Sequence, residues 1–84
     1  MKTIKVKKEN GKLVCDPTHT KAVRGEQITW VADGVGNDVE IRFREKSPFT
    51  ETGPFRLADV HTISPAADNG TYKFDHIEGD IIIG

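Results

Sequence analysis

Helical periodicity is nearly absent from this chain of 84 residues. No stretch repeats apolar side chains at three- and four-residue spacing, which excludes helical bundles and amphipathic helices as its architecture. With Cys15 as the only cysteine, no internal disulfide can form. No apolar run approaches the roughly 20 residues that span a bilayer. Neither sign of charge dominates: 12 Lys and Arg face 13 Asp and Glu, for a net charge of −1. Bulk electrostatics therefore favours neither nucleic acid nor a membrane surface. The opening Met1-Lys2-Thr3-Ile4-Lys5-Val6-Lys7-Lys8 alternates from the start and has no apolar signal region. As the sequence stands, a cytoplasmic location is expected, or a periplasmic one if a leader has been trimmed.

Chemical motifs are equally scarce. No Cys-x-x-Cys or His-x-x-x-His pair appears among His19, His61, His76 and Cys15. Ser47 and Ser64 each precede a proline rather than sitting in a nucleophile elbow. No glycine-rich phosphate cradle is present, and Asp33-Gly34-Val35-Gly36-Asn37-Asp38 lacks the closing Glu of a calcium loop. A thin domain of this length seldom holds a nucleophile and base in a pocket, so the chain is not expected to be an enzyme. No cofactor, catalytic or metal residue is assigned.

What the chain does have is period-two alternation. Ile4 and Val6 alternate with lysines, and Asn10-Gly11 is a strong hairpin turn leading to Lys12-Leu13-Val14-Cys15. Asp16-Pro17 should end that strand, because proline has no ladder donor, and Thr18 to Val23 should form another. Gln27 to Ala32 reads as a strand with Ile28 and Trp30 on one face. Val39, Ile41 and Phe43 alternate with Glu40, Arg42 and Arg44 as the cleanest half-buried strand. Phe49 and Phe55 follow prolines and are read as plugs at one end of the core; Leu57 to Val60 suggests a helical turn. Asn69-Gly70 opens a last hairpin, with Tyr72, Phe74 and His76 on one face, Glu78-Gly79-Asp80 as its turn, and Ile81 to Ile83 as a buried strand. Residues 1–84 thus form a single domain of seven or eight short strands, a sandwich or a small barrel.

Three segments resemble the cupredoxins, the small blue-copper β-sandwiches. Asp16-Pro17 followed by Val23-Arg24-Gly25-Glu26-Gln27-Ile28-Thr29-Trp30 is similar to their opening segment. Asn37-Asp38-Val39-Glu40-Ile41 resembles the strand bearing their first histidine ligand, and Gly70-Thr71-Tyr72-Lys73-Phe74 the run into their ligand loop. The resemblance implies an all-β, Greek-key, cupredoxin-like sandwich. It also implies that Asn37 stands at the place of the first histidine and His76 at that of the cysteine. The loop then shrinks to Ile77-Glu78-Gly79-Asp80, without histidine or methionine. Type 1 copper needs a thiolate and two imidazoles, so the implied scaffold lacks the copper centre.

On this reading the chain is a non-catalytic binding or accessory module for an unknown protein or small molecule, with no nucleic-acid or membrane partner. Its surface is expected at the end formed by Asn37, Ser47-Pro48-Phe49 and Ile77 to Asp80, where Phe49, Phe55 or Ile77 could be partly exposed. The phase of His76 places it at least partly indoors, within reach of Asp75, Glu78 or Asp80. An atypical metal or electron-transfer site there is the alternative. Cys15, between Val14 and Asp16, reads as a buried thiol of raised pKa. A single-strand-binding barrel has only Phe43, Arg42, Arg44 and the early lysines in its favour.

Overall fold

The computed structural model describes residues 1–84 and contains eight strands and no helix. They are β1 (Lys2–Glu9), β2 (Lys12–Ala22), β3 (Gln27–Ala32), β4 (Glu40–Ile41), β5 (Phe55–Arg56), β6 (Val60–Thr62), β7 (Gly70–Lys73) and β8 (Glu78–Ile83). Six of them form one ladder in the order β6-β3-β1-β2-β8-β7, and β4 pairs with β5. No helix is long and apolar enough to cross a membrane.

The β1–β2 hairpin turns at Asn10 and Gly11, whose φ values of 50° and 79° are those a two-residue hairpin loop requires. Asp16-Pro17 does not end β2, contrary to the sequence reading. The strand instead runs on past it: Lys12 to Asp16 pair with β1, Val14 also pairs with Glu78 of β8, and after a register shift His19 to Ala22 pair in parallel with β8 alone. Pro17 thus sits where neither neighbour asks for its missing amide hydrogen.

The ladder is also folded over. β3 and β7 are four strands apart, or about 19 Å in a flat sheet, yet the rings of Trp30 on β3 and Phe74 just after β7 lie 6.2 Å apart. The two ends of the sheet face each other as a sandwich. Between them Trp30, fully buried, meets Phe49 at 5.7 Å and Phe55 at 5.8 Å, and Phe43 packs on Phe74 at 5.2 Å. Ile4, Val6, Ile28, Ile41, Ile63 and Ile81, all inaccessible to solvent, complete one continuous core.

Two further expectations are corrected. The alternation over Val39–Phe43 has the right phase, with Ile41 buried and Arg42 and Arg44 exposed. Only Glu40–Ile41 forms a ladder, however, and Phe43 adds a single bridge to Phe74. Leu57 to Val60 is not a helical turn: Ala58 has φ 73°, its N–H donates to the Trp30 carbonyl, and β6 starts at Val60. A left-handed residue cannot continue a right-handed turn.

Close packing is tightest at Gly79. A Cβ there would fall 2.8 Å from Cys15 Cβ and 3.2 Å from the Phe74 ring, and φ is 153°. Gly11 has an equally unusual φ but nothing within 4 Å of an added Cβ. Gly79→Ala is therefore expected to cost about 2–4 kcal/mol in urea unfolding, and Gly11→Ala only about 1. Equal costs would show that Cys15 and Phe74 yield to the added methyl group.

Candidate functional site

The parallel pairing of β1 with β3 places Val6 beside Ala32, so the 33–39 loop leaves β3 alongside the end of β1. β2 starts at the same end, where Val14 faces Glu78 at the start of β8. The Asn10-Gly11 hairpin, the 33–39 loop and the Asp75–Ile77 turn thus gather at one pole. They enclose an open groove of about 830 Å³. Its apolar floor is Leu13, Val35, Val39 and Ile77; Lys8, Lys12, Arg44 and His76 stand over it, with the carboxylates of Asp38 and Glu78.

The expected site is only partly assembled here. Asn37 is exposed at this pole, but Ser47-Pro48-Phe49 is docked at the other. The Pro48 carbonyl accepts from Ser64 N–H and Phe49 bridges Ile63, next to the Gly25-Glu26 turn. Phe49, Phe55 and Ile77 are all buried, so none offers a free apolar contact. Phe43 is likewise packed among Phe49, Phe55 and Phe74 rather than presented for stacking on a base. The hydroxyls of Ser47 and Ser64 accept from the N–H groups of Phe49 and Ala66 within their own turns.

His76 is the clearest correction. Tyr72 and Phe74 point inward as their alternation requires, but the turn comes three residues earlier than read, and Glu78 already belongs to β8. His76 adopts φ 61°, which breaks the alternation; Ile77 takes the inward place and the imidazole is 89 % exposed. Its nearest carboxylate is Asp75, 3.6 Å away. Asp80 faces β2 instead, where His19 Nδ1 lies 2.9 and 3.0 Å from its two carboxylate oxygens. No three His, Cys, Asp or Glu side chains converge as a metal-holding group.

The His19–Asp80 pair escaped the sequence reading because it spans 61 residues and exists only through the β2–β8 register. His19 is itself largely exposed, while the Asp80 side chain is 9 % exposed. The pair therefore matters less for its own strength, which solvent weakens, than for keeping a buried carboxylate partnered. That carboxylate also reaches Cys15. Burial, and then the Asp80 charge, push the thiol up to about 12. Asp16, the neighbour blamed from the sequence, is exposed and pairs with Lys7 at 3.8 Å.

No protein-family model matches the chain, and no curated protein matches it by sequence. Among solved structures, that of a pseudoazurin from Sinorhizobium meliloti is similar, with a TM-score of 0.54 over the whole of this chain and 75% of that one. The two share 18% sequence identity, so the likeness is one of fold. Pseudoazurin is a cupredoxin, and the eight strands here form a cupredoxin-like β-sandwich.

Two outcomes follow from the pole. Replacing His76 by glycine should hold or raise stability by up to about 1 kcal/mol in chemical unfolding, since it relieves a left-handed backbone; a comparable loss would mean the ring anchors the turn. For Cys15 the folded protein holds its proton above the unfolded thiol's value of 9.0. That stabilisation is complete below pH 9 and lost as pH rises toward 12. Between pH 8 and 11 the protein should lose roughly 2–3 kcal/mol more stability than Cys15→Ala. Parallel pH profiles would show that the thiol ionises freely in the fold.

Proposed function

We propose that this chain is a non-catalytic binding module on a cupredoxin-like scaffold, without a type 1 copper centre. It takes a protein or small-molecule partner, not nucleic acid or a bilayer, at the loop pole. The observation that carries the reading is the donor set around that pole. A blue-copper site needs a thiolate and two imidazoles converging on one point. Here the thiol belongs to β2, is 2 % exposed, and is held protonated to about pH 12. The imidazole of His76 turns out to solvent, and Asn37 offers an amide. The groove supports the binding half of the reading, because its apolar floor and mixed charged rim suit a ligand.

Titration with copper(II) and zinc tests it. No saturable one-to-one complex and no intense thiolate-to-copper absorption are expected. A tight stoichiometric complex abolished by His76→Ala would replace this reading with the metal-site alternative.

A further inference from the structure

We infer that the loop-pole groove binds a small organic anion, a carboxylate or phosphate monoester carrying an apolar chain. This rests on the reading of the pole as a binding site. Three features of the groove carry it, and the first is charge. Over the floor stand three permanent cations, Lys8, Lys12 and Arg44, against two carboxylates. The chain as a whole is negative by one charge, so the positive excess is local.

The second feature is that these cations are uncommitted. Outside the groove Lys2, Lys7, Arg42 and Lys46 each have a carboxylate within 4 Å, at Glu26, Asp16, Glu40 and Asp68, whereas Lys5, Lys21, Arg24, Arg56 and Lys73, like the groove's cations, have none. Lys8, Lys12 and Arg44 form no ion pair in the folded protein. One of the groove's two acids is drawn back onto its own loop. Asp38 folds back on its own loop, its Oδ1 only 2.5 Å from where a Gly36 Cβ would lie. Glu78, at the start of β8, forms no ion pair.

The third feature is the orientation of Arg44. Its Nε donates to the Phe74 carbonyl at 3.2 Å, which fixes the stem and leaves both terminal nitrogens for a ligand. Such a fork matches a carboxylate or phosphate edge, and an anchored one loses less freedom on binding. The same groove is lined by the half-buried Leu13, Val35 and Val39, which can cover an apolar chain attached to the anion. Lys8 and Lys12, on the β1–β2 hairpin, flank the same floor and add charge without fixed geometry.

The test is amide chemical-shift mapping of the intact chain with four probes of one chain length: octanoate, octyl phosphate, octanol and octylammonium. The two anions should shift amides of the Lys8–Leu13 hairpin, the 33–39 loop and the 75–78 turn saturably. Octanol should bind about tenfold more weakly or worse, and Arg44→Gln should weaken the anions by a similar factor. Lys12→Gln, an exposed hairpin change, should weaken them too, and Lys5→Gln, outside the groove, should not. The better of the two anions identifies carboxylate or phosphate as the source. Octylammonium or octanol binding as well as the anions would overturn the inference while leaving the pole a binding site. No perturbation of the pole by any probe would overturn both.

Discussion

Pro17 carries no amide hydrogen, and β2 gives up β1 as a neighbour at the place where that donor is missing, keeping β8 alone. Everything else in the fold depends on the change. Up to Asp16, β2 lies between β1, which leads to β3 and Trp30, and β8, which Val14 already meets at Glu78; beyond the register shift only β8, with β7 outside it, remains beside it. The apolar faces of the two groups then meet around one aromatic cluster. Dispersion among close-packed rings needs contact at a few ångströms, and the spacings of 5.1 to 6.2 Å among Trp30, Phe43, Phe49, Phe55 and Phe74 supply it.

The fold was largely legible in the residues because its signals are local. Alternation marked β1 and β3, Asn10-Gly11 marked the first hairpin turn and the Gly-x-Tyr-x-Phe run marked β7, whereas Asn69-Gly70 is no turn: Gly70 already pairs with Ile83, and the preceding turn falls at Pro65-Ala66. Local signals also explain the misses. Proline forbids a ladder donor, but whether a strand stops or runs on with a neighbour on one side only depends on what lies beside it. The 39–43 alternation records which side chains are buried, and burial against the sheet does not require a ladder on both sides.

The site was less legible, for a different reason. Period-two phase holds only while the backbone stays extended, and one left-handed residue at His76 is enough to cancel it. Pairings set by register were equally hidden. His19 with Asp80, and Asp80 with Cys15, depend on parallel β2–β8 alignment that no nearby residue encodes. The groove is of the same kind: its cations come from β1, β2 and the segment after β4, and only tertiary structure sets them over one floor.

The place of β8 bears on how the chain reaches this state. The β1–β2 hairpin can close within a few residues, but the second half of β2 receives its neighbour only when residues 78–83 arrive. During synthesis, therefore, an early sheet stands with one flank unpaired, and such a flank invites pairing with another chain. Lys2, Lys5, Lys7, Lys8, Lys12 and Lys21 all lie on those first two strands. Their crowding there, at odds with a nearly neutral whole, gives the unfinished sheet a charge that repels its own kind until the last strand seals it.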